Sequence, residues 1–130
     1  MKLLDTDVCI HLLNAREPEL LARFRAHSPV ELALSSIVRA ELLWGARNSR
    51  RVDENLERVR LFAQPLVPLP FNDECAERYG AIRADLAARG TPIGPHDLLI
   101  AAPALGQGAT LVTRNRREFE RVPSLAIEAW

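Results

Sequence analysis

Short apolar runs alternate with longer amphipathic ones along the whole chain, and this alternation constrains the fold more than any other feature. Lys2–Asp5, Glu31–Ser35, Leu66–Leu69, Ala109–Thr113 and Leu125–Glu128 read as short strands. Between them, Val8–Asn14, Pro18–Ala26, Ile37–Arg47, Val52–Ala63, Asn72 or Asp73 to Arg89, His96–Leu105 and the short turn Asn115–Phe119 have helical spacing. Asp7 and Ser36 stand where helix caps belong, and Gly90 where a helix ends. Thr91-Pro92-Ile93-Gly94-Pro95 reads as a rigid turn. Strands separated by helices predict an α/β fold with a central, mostly parallel sheet covered on both faces. Ligands of such sheets gather at the carboxyl ends of the strands.

Composition narrows the class further. A chain of 130 residues is one domain by length, and 48% hydrophobic against 26% charged residues suits a packed core. No run approaches the ~20 apolar residues of a membrane span. The start of the chain lacks a signal peptide's basic and apolar regions, so a cytoplasmic protein is expected. Cys9 and Cys75 form no CxxC pair, which argues against zinc and against a disulfide framework; Cys9 is expected to be buried and reduced. The formal net charge is zero, so bulk charge does not point to nucleic acid. Lys2 is nevertheless the only lysine among 17 basic residues. Codon bias accounts for such a ratio, and it leaves phosphate binding by some arginines open.

Three acids stand out by position. Asp5 follows the apolar Leu3-Leu4, Glu41 lies in the helix after the second strand, and Asp97 opens a helix among Ile93, Leu98, Leu99 and Ile100. Half-buried carboxylates brought together repel one another, and a divalent cation offsets that repulsion. Oxygen ligands alone favour Mg²⁺, with Mn²⁺ as substitute, over zinc. Such an ion polarises a phosphate and activates a water. Each acid also has an ordinary role open to it. Asp5 can end a strand, Glu41 can be a solvated helix acid, and Asp97 can answer a helix dipole. Asp7 reads as a cap that is also placed to reach a metal through water.

The segments LLDTDVCIHLL, SSIVRAELLWGA, RADLAARGTPIGPHDLLIAAPAL and TLVTRNRREFERVPSLAIEAW resemble the PIN-domain family, and within it the VapC-type toxins of bacterial toxin–antitoxin pairs. The likeness runs from Leu3 to Trp130. It implies a single PIN domain over residues 1–130, with a three-layer α/β/α sandwich, and a Mg²⁺-dependent endoribonuclease. The metal ligands it implies fall on Asp5, Glu41 and Asp97. The family often has an acid after the "VT" strand, where this chain has Asn115; Glu118, one turn on, is the candidate replacement, unless it only caps or pairs with Arg114. Thr113 and Ser36 are candidates for hydrogen bonds to the ligand carboxylates. His96 is expected to line the site, and Pro103 to kink or shorten its helix.

The resemblance also implies partners. They are a VapB-type antitoxin whose tail crosses the site, a second copy of the chain, and structured RNA such as tRNA anticodon loops. The helices with Leu42–Trp44 and Val52–Phe62 are candidates for the homodimer contact. Arg114, Arg116 and Arg117 are candidate RNA-binding residues, unless they form a solvated turn. Two other functions fit part of the pattern. A haloacid-dehalogenase phosphatase would use the Asp5-Thr6-Asp7 pattern, but it needs a downstream lysine and this chain has only Lys2. A catalytically inactive PIN-like module that binds RNA or protein is the alternative suggested by the uncharged Asn115.

Overall fold

A computed structural model describes residues 1–130. Five strands form one all-parallel sheet: β1 (Lys2–Leu4), β2 (Leu32–Ser35), β3 (Val67–Leu69), β4 (Thr110–Val112) and β5 (Ile127–Glu128). Seven helices connect them: α1 (Thr6–Asn14), α2 (Pro18–Arg25), α3 (Ser36–Arg47), α4 (Val52–Ala63), α5 (Asp73–Ala88), α6 (Pro95–Gly106) and α7 (Arg116–Phe119). A 3₁₀ turn at Pro29–Glu31 shortens the expected second strand, and β5 begins two residues later than expected while ending at Glu128. The α/β sandwich is the architecture the sequence predicts.

The strand order β3-β2-β1-β4-β5 positions the site. The chain steps outward from β1 to β2 to β3, then returns past β1 to β4 and β5. Parallel crossovers are right-handed, so a reversal of direction puts α1–α4 on one face and α5–α6 on the other. Packing agrees: α3 lies on α4 and α1, and α5 lies on α6. The reversal falls between β1 and β4, where Leu3 pairs with Leu111 and Leu4 with Val112. A crevice opens beyond the carboxyl ends of strands at such a switch point.

The core accounts for the short strands. Leu3, Leu4, Leu34, Leu111, Val112, Ile100 and Phe119 are all buried, so the inner strands are apolar on both faces. α6 continues helical through Pro103 to Gly106, where an interruption was expected. Pro103 is buried with Ala101, Ala102 and Ala104, and this apolar packing outweighs one missing backbone hydrogen bond. Cys9 and Cys75 are buried free thiols.

Two caps differ from the sequence reading by one or two positions. Asp5, not Asp7, is the N-cap of α1, accepting the Thr6 N–H at 2.7 Å. Ser35, not Ser36, caps α3, accepting the Val38 N–H at 3.1 Å. In both places two adjacent or near-adjacent residues have cap chemistry, and the extended backbone at Asp5 and Ser35 decides between them.

Candidate active site

Asp5 sits at the switch point. Its N–H continues the ladder to the Val112 carbonyl at 2.9 Å, and its side chain is 5% exposed. Oδ1 takes the Thr6 N–H, and Oδ2 accepts the Thr113 hydroxyl at 2.6 Å. Thr113, itself fully buried, directly follows β4 and also accepts the Asn115 N–H at 3.0 Å. Burial pushes the Asp5 carboxyl above the ordinary carboxylate range; the bonds from Thr113 and Thr6 oppose this, and Asp7 adds to it.

Asp97 lies in the first turn of α6, half-buried, with no hydrogen bond to its side chain. Its carboxyl is raised first by burial, then by the charges of Asp5 and Glu118, with Asp7 adding and His96 opposing. Four acids from three parts of the chain therefore share one field. No arginine or lysine forms a salt bridge with Asp5, Asp7 or Asp97, although Asp7 lies within the field of Arg114. Glu41, on α3, has only His96 as a neighbour of opposite character: Nε2 stands 3.5 Å from Oε1, without hydrogen-bond geometry, and is buried and unpartnered. Glu118, half-buried on α7, is 3.8 Å from Arg121 and does not pair with Arg114. Phe119, fully buried beside it, anchors α7.

As the side chains stand, no three acidic, histidine or cysteine groups converge closely enough to hold one ion directly. The donor set still fits a hard divalent cation. It is all oxygen, partly desolvated, and has almost no basic counter-charge. Mg²⁺ keeps several of its waters and is bound through one or two direct carboxylates.

The remaining predicted residues divide. Thr113 holds Asp5 as expected, whereas Ser36 is exposed and makes no bond to a carboxylate. Asp7, relieved of capping, is exposed beside the cluster. Asn115 opens α7 without a side-chain cap bond. Arg114 is engaged by Glu17, through bonds of 2.7 and 3.0 Å, and Arg116 by Glu120 at 2.7 Å. Arg117 is exposed and unpaired. Glu17 and Ser35 escaped the sequence reading. Ser35 had a detectable signal, its spacing of three from Val38; the Glu17 contact spans 97 residues and had none.

Beside the acids, Ile10, Leu13, Leu42, Ala46 and Val59 line an open groove of about 240 Å³ between α1, α3 and α4, with Glu41 in its wall.

The PIN domain family matches residues 2–125. The tRNA(fMet)-specific endonuclease VapC of Salmonella typhimurium is 39% identical over 128 residues, 98% of this chain and 96% of the relative. Ribonuclease VapC2 of Rickettsia felis is 37% identical over 134 residues, with the same coverage of 98% and 96%. Among solved structures, DNA-bound VapBC from Salmonella typhimurium superposes with a TM-score of 0.93 at 39% identity, covering 99% of this chain and 97% of that one. VapBC-1 from nontypeable Haemophilus influenzae gives 0.88 at 31% identity, covering 99% and 97%. Family model, sequence relatives and superposed structures agree, and the chain belongs to the PIN-domain family, in its VapC group.

Proposed function

We propose that this chain is the toxin of a VapBC-type toxin–antitoxin pair, a Mg²⁺-dependent endoribonuclease that hydrolyses phosphodiester bonds in RNA. The observation that carries the reading is the field of acids at the switch point without matching bases. Asp5, Asp97 and Glu41 are the proposed ligands, Glu118 the proposed fourth acid, and Mn²⁺ the expected substitute. Asn115 is the weaker alternative to Glu118, and Asp7 acts through water. When bound, the ion polarises the scissile phosphate and lowers the pKa of the attacking water.

The protein's own part is orientation. Thr6 and Thr113 hold both oxygens of Asp5 in place, so its direction does not depend on the ion. Phe119 fixes the turn that presents Glu118. Arg117, and Arg116 once released from Glu120, are the proposed contacts to phosphates flanking the cut.

The first relative's name makes tRNA the first substrate to test, its anticodon loop being the single-stranded part. The VapBC structures support a VapB-type antitoxin partner, and the apolar groove beside Glu41 suits its tail. Trp44, 64% exposed, and Leu61, 53% exposed, are the outward residues of the proposed homodimer helices; Leu42 and Val59 point into the core. No helix is long and apolar enough to cross a membrane, which is consistent with a proposed cytoplasmic site of action.

The deciding assay incubates labelled total tRNA, and initiator tRNA separately, with the purified chain in Mg²⁺, in EDTA, and as the Asp5→Ala variant. Cleavage is expected in the first condition alone. Intact RNA in every lane, with RNA binding demonstrated in parallel, would instead identify an inactive RNA-binding module.

A further inference from the structure

Arg114 lies between two residues of the proposed site, Thr113 and Asn115, but its side chain turns away from them. Both terminal nitrogens bond the Glu17 carboxylate, at 3.0 and 2.7 Å, and Nε donates to the Trp130 carbonyl at 3.3 Å. A guanidinium held at two carboxylate oxygens and a carbonyl has a defined orientation, not merely a nearby opposite charge. Glu17 is also 3.1 Å from His11 Nδ1 in the last turn of α1. Its own backbone is set by the turn before it, where Ala15 takes the left-handed conformation, φ 52°, and by Pro18 at the start of α2.

These contacts close a ring. Asp5 caps the start of α1 and accepts the Thr113 hydroxyl; the end of α1 meets Glu17, which grips Arg114, the residue after Thr113. The β4–α7 segment is thus tied to both ends of α1. We propose that Glu17 is a positioning residue: through Arg114 it holds the Thr113–Asn115 turn, and with it Asp5 and Glu118, in the geometry that metal binding requires. It follows that Arg114 is a strut of the site and not a contact to RNA.

This inference rests on the metal-dependent ribonuclease reading, and its test separates the two. Glu17→Gln keeps size and removes the charge from a side chain 38% exposed, so the variant is expected to fold. Steady-state cleavage should show kcat lower by about tenfold with KM within about twofold, the pattern of lost alignment rather than lost substrate binding. Mn²⁺ should bind more weakly, followed by its electron paramagnetic resonance signal. Amide exchange at Asn115, measured without metal, should speed up. The charge swap Glu17→Arg with Arg114→Glu should recover most of kcat, where either single change lowers it.

A lower KM in Glu17→Gln with kcat unchanged would overturn the proposal, because it would mean that Glu17 withholds Arg114 from RNA. Unaltered Asn115 exchange and Mn²⁺ binding would overturn it equally. If the wild type fails to cleave RNA, the ribonuclease reading falls, and Asn115 exchange still decides whether Glu17 holds the turn.

Discussion

Asp97 illustrates two opposed effects at one residue. The first turn of α6 favours an anion through the helix dipole, while burial, Asp5 and Glu118 disfavour it. The raised carboxyl shows that the second set wins. A raised pKa in the fold means that the folded chain holds this proton more tightly than the unfolded one. The charged form therefore costs stability, and the cost appears as pH rises above the ordinary carboxylate value. Asp97→Asn is expected to raise the metal-free Tm by about 2–4 °C at pH 7 and to change it little near pH 3. The same variant should lower cleavage by orders of magnitude and lose the Tm gain that Mg²⁺ gives the wild type. Equal metal-free Tm values at pH 7 would show that the acids do not strain the fold. Glu118→Ala tests the weaker ligand: a Mn²⁺ titration should show reduced affinity, and an unchanged one would remove Glu118 from the site. Asp5, Glu41 and Asp97 stood out in the sequence as acids set among apolar residues, but each had an ordinary role open to it, and only the resemblance to the PIN-domain family singled them out as expected ligands. Which oxygen serves Thr6 and which Thr113 was not legible, because that depends on a partner 108 residues away.

At the level of elements, β5 is the least self-sufficient piece. It has two residues, and side chains supplement its ladder: Lys2 bonds Glu128 at 2.7 Å, Trp130 Nε1 donates to Glu128 at 2.7 Å, and Trp130 stacks on His27 with ring centres 5.0 Å apart. Lys2, then Trp130, holds the Glu128 carboxyl below its ordinary value. A lowered carboxylate stabilises the fold above the ordinary value, and this is lost as pH falls through the window beneath it. Glu128→Gln should lower Tm by about 2 °C at pH 7, a small effect because the pair is partly exposed, and by almost nothing at pH 3. Thermal melts at the two pH values check this; an equal loss at both would assign the effect to shape rather than charge. The helices were legible from their periodicity to within a residue or two. The ends of Glu31–Ser35 and Leu125–Glu128 were not, because a strand so short is defined by its neighbour's hydrogen bonds rather than by its own pattern.

Across the whole molecule, charge is balanced at a formal net zero, and six of the arginines are paired with acids of this chain, three of them (Arg114, Arg116 and Arg121) in and beside α7. The segment that carries Glu118 therefore offers one free cation, Arg117, to a phosphate beside the acids. The logarithm of kcat/KM is expected to fall with the logarithm of salt at a slope no steeper than about −2, since each phosphate contact contributes somewhat less than one. A slope near −5 would show that arginines away from this segment also meet phosphates, or that pairs such as Arg114–Glu17 open on binding. The parallel sheet was legible from the alternation of strands and helices; the order β3-β2-β1-β4-β5 was not, because nothing local says that the first strand is central.

That central first strand has a consequence for timing. Asp5 is made 108 residues before Thr113, which orients it, and Glu118 is made after Thr113. At roughly 5–20 residues per second, synthesis separates them by about 5 to 20 seconds. Through that interval β1 lacks its β4 neighbour, and the acids have no crevice to share. A nascent chain still attached to its ribosome, and close to the RNA around it, is thus without the arrangement that the finished protein carries.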